Sequence, residues 1–312
     1  MAHIPVLLDE VIKYLDPKKG ETILDATLDG GGHSGAIIPR LLPGGKLIGI
    51  DQDRQLLDKL ISSFSRQMRD PAVAGQFSIF KKDGNLILVN DNFRNLDKIL
   101  KSLKIKFVDG ILFDLGMSSE QLENSGRGFS FLRDEPLIMT YKSELGPEDI
   151  TAGDILNKWP EEEIFKVLKE YGEERYAGRI SRNIAKRRKE IPFATTFDLV
   201  EVIKKSVPHG KKRQRINPAT RTFQALRIAV NDELNALAEG LEKSWELLNR
   251  GGRLVVISFH SLEDRMVKNF FKEKKNEGAG NILTKKPISA SEQEIKINPR
   301  SRSAKLRAIV KL

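Results

Sequence analysis

The sequence predicts an α/β fold: a doubly wound, largely parallel sheet interrupted by an all-helical insertion. Three observations lead there. Short apolar strands alternate with amphipathic helices up to about residue 115, the grammar of a parallel sheet covered on both faces. From Glu148 to Lys205 only helical periodicity is found, and near Leu254 the strand pattern returns. The expected organisation is a core of residues 1–130 and 216–312 around an insertion of 131–215.

The elements follow in order. Val6, Leu7, Val11, Ile12 and Leu15, with Pro17 beyond, predict a short amphipathic helix. Glu21 to Ala26 is a strand entering a glycine-rich turn, Ser34 to Leu42 a helix, and Lys46 to Ile50 a second strand followed by Asp51. Leu56 to Phe64 is helical. Phe77 to Val89, broken by Lys81-Lys82-Asp83-Gly84, reads as a hairpin or an interrupted strand. Leu96 to Leu103 is a helix and Val108 to Leu115 a buried strand; Gly126 to Gly146 is loop-rich. Asn217-Pro218 starts a helix. Phe223, Leu226, Val230, Leu234, Leu237, Leu241, Trp245 and Leu248 continue it as one long amphipathic helix, stopped by Gly251-Gly252. Leu254 to Phe259 is the next buried strand. The alternation Leu306, Ala308, Val310, Leu312 suits an edge strand.

Composition narrows the chemistry. The 312 residues are 39% apolar and 31% charged, the balance of a globular chain. The longest apolar runs are too short to span a bilayer, and Asp9 and Glu10 stand where a signal peptide needs its apolar region. A cytoplasmic protein without a membrane partner is therefore expected. With no cysteine, disulfides, Cys-ligated zinc and thiolate nucleophiles are excluded, and four histidines make a His-rich metal site unexpected. Charge is concentrated: Arg175 to Arg227 holds 15 Lys/Arg against 3 acids, while the remainder holds 38 against 40. Peaks lie at Lys186-Arg187-Arg188-Lys189 and at Lys211-Lys212-Arg213, and Lys296 to Lys311 adds six basic residues and no acid. A solvated helix face is the bland reading; the asymmetry favours a polyanionic partner.

In Asp25-Ala-Thr-Leu-Asp-Gly30-Gly31-Gly32-His33-Ser34-Gly35 a strand runs into three glycines and a helix, and Asp51 follows Gly32 by nineteen residues. Such a turn brings backbone close to a ligand, and a carboxylate after the second strand can accept the ribose hydroxyls of an adenosine. The fourth strand ends in Asp114-Leu-Gly-Met-Ser-Ser119, an acid and two hydroxyls on the same expected rim. A nucleoside-containing cofactor follows. Gly30, Gly32 and Gly35 also spell GxGxxG, which keeps a nicotinamide-dependent oxidoreductase open. A non-catalytic RNA-binding assembly factor is the other alternative.

The chain resembles the bacterial RsmH (MraW) family of small-subunit rRNA cytosine-N4 methyltransferases. The matching segments include His3-Ile-Pro-Val-Leu-Leu-Asp-Glu10, Gly31-Gly32-His33-Ser34, Asp114-Leu-Gly-Met-Ser-Ser119, Arg127-Gly-Phe-Ser-Phe131 and Tyr171-Gly-Glu-Glu174. Pro218-Ala-Thr-Arg-Thr-Phe-Gln-Ala-Leu-Arg-Ile228, Ser258-Phe-His-Ser-Leu-Glu-Asp-Arg265 and Asn298-Pro-Arg-Ser-Arg-Ser-Ala304 complete them, in order along almost the whole chain. The resemblance implies a Rossmann-like core with S-adenosylmethionine held by Gly31, Gly32, His33, Asp51, Phe93, Asp114 and Gln121, and an insertion that helps hold RNA. Small-subunit rRNA or the small ribosomal subunit is the implied partner, with monomer and homodimer both open. The match breaks at Asp29, where the family usually has glycine, at Leu137 to Lys142, and at Asn217.

Methylating an exocyclic amine whose lone pair is delocalised requires acceptors for its N–H groups and a base held out of the stack. Candidates for the amine contact are Asp114, Ser118 and Ser119, with His260 as proton acceptor or base-edge contact. Asp264 and Arg265 are expected to pair and fix the following loop. Arg127, Arg187, Arg188, Lys211, Lys212, Arg213, Arg221, Arg300 and Arg302 are the expected RNA contacts.

Overall fold

The computed structural model describes residues 4–63, 78–82, 84–208 and 217–312. Lys211, Lys212 and Arg213 lie outside them. Contacts divide the chain into two compact units, Met1–Gly116 with Leu234–Leu312, and Met117–Glu233.

The first unit is built on an eight-stranded sheet: β1 (Thr22–Asp25), β2 (Lys46–Asp51), β3 (Ser78–Lys82), β4 (Leu86–Asn90), β5 (Val108–Asp114), β6 (Leu248–Ser258), β7 (Gly280–Ile282) and β8 (Lys305–Lys311), in the order β3-β4-β2-β1-β5-β6-β8-β7. β4, β2, β1, β5 and β6 run parallel; β3, β8 and β7 join antiparallel to their neighbours. Both faces are covered, so the central strands are apolar on both sides. On one face, Leu112 and Ile23 pack with Val11 and Leu15 of α1 (Leu8–Leu15), Ile37 and Leu41 of α2 (Gly32–Leu41) and Leu57 of α3 (Arg54–Ser63). On the other, Ile111 and Phe113 meet Ile99 of α4 (Leu96–Ser102).

The second unit starts at α5 (Ser119–Asn124) and contains α6 (Ala152–Lys158), α7 (Glu161–Glu170), α8 (Ala177–Arg187), α9 (Thr196–Ser206) and α10 (Ala219–Asn231). Its core joins Ile155, Leu168, Ile180, Ile184, Leu199 and Leu226 to Phe129 and Met139 from the preceding loop. That membership explains why its limits lie outside the expected 131 and 215: the loop and α10 bury their apolar side chains here.

Three local expectations are corrected. The helix expected from Asn217 to Leu248 is two helices: Asp232 takes φ 49° and closes α10 by donating its N–H to Ile228, and α11 (Glu233–Leu247) follows. Its Leu237, Leu241 and Trp245 join the sheet core of the first unit, with Phe270 and Phe271 of α12 (Ser261–Asn276), a helix the strand-oriented reading missed. Gly251 (φ 80°) does not stop a helix but sits within β6. β8 is not an edge strand, because the three-residue β7 pairs along its outer side. Near the C-terminus α13 (Glu292–Ile297) completes the elements. No helix among the described residues is long and apolar enough to cross a membrane.

Candidate active site

β1, β2 and β5 lie side by side and each ends in an aspartate: Asp25, Asp51 and Asp114. β1 is the point where strand order reverses, with β2 on one side and β5 on the other, and open sheets take ligands beyond the carboxyl ends at such a point. Asp25 is in register with Gly49 and Leu112, so Asp51 and Asp114 stand two residues further along their strands, on the same face of the sheet.

The turn after β1 is held by these acids. Asp51 Oδ2 accepts the Asp29 N–H at 2.8 Å and Oδ1 accepts the Asp53 N–H at 2.8 Å. Ser34 Oγ donates to Asp25 Oδ2 at 2.6 Å, and the Asp114 N–H donates to Thr27 Oγ1 at 2.6 Å. Gly31 takes φ 73° as the N-cap of α2, and Gly32 opens the helix. Asp29 takes φ 47°, a left-handed conformation that glycine adopts without steric cost.

Crowding of carboxyls in a dry site favours their neutral forms. Burial, opposed by the Ser34 hydrogen bond, pushes Asp25 up to about 6. Burial, then the charges of Asp51, Asp114, Asp25 and Asp53, push Asp29 well above the usual carboxylate range. Burial, then Glu263, push Asp114 up to about 8. Asp114 is 7% exposed, and its Oδ1 has no hydrogen-bond partner.

His33 explains the other Asp114 oxygen. Its Nε2 lies 2.9 Å from the Val6 carbonyl, which can only accept, so Nε2 carries the proton and Nδ1 faces Asp114 Oδ2 at 3.5 Å. Burial lowers the His33 pKa. At neutral pH the pair is therefore a neutral imidazole beside a protonated carboxyl.

The remaining expected cofactor and catalytic residues are placed as follows. Phe93 heads a short 3₁₀ turn after β4, half-buried, edge-on to Phe113 at 5.3 Å and packed on Gly240. It is thus partly a core residue. His260 caps α12: its Nδ1 accepts the Glu263 N–H at 3.4 Å, while Glu263 Oε2 accepts the Phe259 N–H at 2.8 Å. With Nδ1 accepting, the neutral ring carries its proton on Nε2, which lies 3.1 Å from Glu263 Oε1 outside hydrogen-bond geometry, so this nitrogen can donate to a base edge but does not offer a lone pair for the expected proton-accepting role. In the second unit, Ser118 caps α5: its Oγ accepts the Gln121 N–H at 3.0 Å, and Gln121 Oε1 accepts the Ser118 N–H at 3.1 Å. Ser118 is buried, and its hydroxyl caps α5 with one of its two lone pairs. Ser119 is the first residue of α5.

Several expected RNA contacts point inward instead. Arg127 donates to the carbonyls of Thr140, Tyr141 and Lys142 and clamps that loop. Arg187 pairs with Asp198 at 2.6 Å, donates to the Ile191 and Pro192 carbonyls and stacks on Phe193. Arg188 donates to the Leu156 and Trp159 carbonyls. These three hold structural contacts with part of their five N–H donors, Arg127 buried and Arg187 and Arg188 half-buried. Arg221 donates to the Glu173 carbonyl and stays partly accessible, as does Arg300; Arg302 is exposed. Asp264 pairs with Arg307 at 2.6 Å and Lys305 at 3.1 Å rather than with Arg265.

Sequence reasoning missed Asp25 and Glu263 as parts of this rim. The signal for Asp25 was present, since it ends its strand as Asp51 and Asp114 end theirs. The GxGxxG spelling loses force. In a dinucleotide fold the third glycine permits close helix–strand packing, yet a Cβ on Gly35 would meet nothing within 4 Å.

The model of the MraW methylase family matches residues 1–312. The chain is 46% identical to a ribosomal RNA small subunit methyltransferase H of Heliobacterium mobile, covering 99% of each chain. It is 44% identical to the protein of that name from Geobacter sp. (strain M21), covering 99% of this chain and 98% of the relative. Among solved structures, an rRNA methylase of Streptococcus thermophilus aligns with TM-score 0.42 at 12% identity, over 98% of this chain and 93% of the other.

Proposed function

The chain belongs to the MraW methylase family, and we propose that it transfers a methyl group from S-adenosylmethionine to the exocyclic N4 amine of a cytidine in the decoding region of 16S rRNA, in the cytoplasm. The observation that carries this reading is the row of strand-end acids Asp25, Asp51 and Asp114 with the unpartnered Asp114 oxygen.

When bound, the cofactor supplies a methyl group on a positively charged sulfur. The residues suit it. The backbone of Gly31, Gly32 and His33 lines the turn after β1. Asp51, whose two oxygens accept the Asp29 and Asp53 N–H groups, ends β2 where a carboxylate accepts ribose hydroxyls. Phe93 presents the accessible part of its ring beyond β4 for an adenine. The crowded carboxyls favour a cationic ligand over a neutral one.

Asp114 holds a proton at rest and gives it up as positive charge approaches. Its carboxylate then accepts a hydrogen bond from the amine, which draws the nitrogen toward tetrahedral geometry, and takes up the surplus proton after transfer. The neutral His33 keeps Asp114 in place without competing for charge. Arg221, Arg300 and Arg302, each at least partly accessible, would contact phosphates.

Incubation with labelled S-adenosylmethionine and small-subunit rRNA tests the reading. Label is expected in the RNA and lost in Asp114→Ala. Equal labelling by the variant overturns the role of Asp114, and stabilisation by NAD but not by S-adenosylmethionine in a thermal shift overturns the cofactor.

A further inference from the structure

The charge excess of the second unit is sorted by α8. This helix buries Ala177, Ile180, Ser181, Ile184 and Ala185. Its exposed positions include Arg179, Arg182 and Lys186, with Arg175 and Lys189 exposed just beyond its two ends. The five follow one another at steps of four, three, four and three residues. At about 3.6 residues per turn, Arg179, Arg182 and Lys186 fall within an arc of roughly 60°. Their neighbours Arg187 and Arg188 lie off this stripe and are bound to Asp198 and to backbone carbonyls.

None of the five side chains has a hydrogen bond or ion pair among the described residues. Several acids of the helices packed on α8 face other bases, and none forms an ion pair with the five among the described residues. On α9, Asp198 holds Arg187 and Glu201 holds Lys205 at 2.6 Å. On α7, Glu163 holds Lys166 at 2.8 Å, and Glu162 and Glu170 also face Lys166. Phe165, 39% exposed, lies beside Gly178 at the head of the stripe.

A solvated helix usually intersperses acids with bases at i,i+4. This one carries bases alone, at a helical rise of about 5 Å per step, comparable with the separation of neighbouring phosphates on one strand. An aromatic at the end of such a row can stack a base. We propose that Arg175, Arg179, Arg182, Lys186 and Lys189 form a phosphate-tracking row that holds a single RNA strand along α8, with Phe165 as its stacking end. The proposal rests on the rRNA reading above and adds the site to it. It moves the RNA contact from Arg187 and Arg188 to the residues between which they are interleaved.

The test is the salt dependence of binding to a small-subunit rRNA fragment. Each phosphate contact contributes about 0.7 to the slope of log affinity against log salt on single strands. Arg179→Gln/Arg182→Gln/Lys186→Gln should therefore lower the slope by about 2 and weaken binding about 100-fold at 0.1 M salt, where lines that meet near 1 M have parted by two decades. Arg179→Lys/Arg182→Lys should keep the slope. Thermal melting and S-adenosylmethionine affinity should match the parent, because the side chains are exposed and unpaired. An unchanged slope in the triple Gln variant, with the parent still methylating rRNA, overturns the row alone. A parent that neither binds nor methylates rRNA overturns the functional reading and the row with it.

Discussion

Replacing Asp114 by Asn isolates the cost of the buried carboxyl. The ordinary Asp value is about 3.9, and Asp114 is raised to about 8 by burial and by Glu263. The folded state therefore binds a proton that the unfolded state releases, so this residue's contribution is fully present in acid. It is lost as pH rises from about 4 through 8. Between those two values each pH step of one is worth about 1.4 kcal/mol, so ionising Asp114 withdraws on the order of 5 kcal/mol in all. Asn has the same shape, carries no proton to lose, and can place its amide nitrogen where Asp114 Oδ2 lies 3.5 Å from His33 Nδ1. The unpartnered Oδ1 is common to both, so its cost cancels. Urea unfolding of both proteins, free of cofactor, at pH 5, 6, 7 and 8 measures the difference. Asp114→Asn should gain on the parent by about 1.4 kcal/mol for each pH unit. A difference that stays flat over this range refutes a protonated, buried Asp114.

Three further outcomes follow from the same site and its neighbours. S-Adenosylmethionine binding near pH 7 should release up to about one proton as Asp114 ionises, seen as a dependence of the calorimetric heat on buffer ionisation enthalpy and absent in Asp114→Asn. Asp29→Gly should stabilise the cofactor-free protein by about 1 kcal/mol through relief of the left-handed backbone. The gain should widen with pH, since the Asp29 carboxyl is raised and costs more once ionised; urea midpoints at pH 6 and 8 check both. Arg187→Ala should destabilise by about 2 kcal/mol, because it strands Asp198 and two carbonyls, yet leave the salt slope of RNA binding unchanged.

The sheet and its acids were legible because both signals are local. An apolar strand followed by a polar turn announces itself, and a carboxylate at its end marks the rim. The kink between α10 and α11 was not, since the apolar positions keep helical phase across Asp232 and periodicity does not register a single left-handed residue. β8 read as an edge strand because Leu306, Ala308, Val310 and Leu312 alternate with charged or mixed positions, but one of these, Arg307, is buried against Asp264 and β7 pairs along the strand. The basic segment was correctly seen as a surplus. Which bases are spent internally depends on pairing: Asp198 claims Arg187 and the α6 C-terminal carbonyls claim Arg188, while their exposed neighbours stay unpaired.

The most direct test of the account is nucleoside analysis of small-subunit RNA after incubation with the protein and methyl-labelled S-adenosylmethionine. The account predicts label in N4-methylcytidine. Label on a ring carbon or a ribose hydroxyl, or RNA left unlabelled while the cofactor binds, would contradict it.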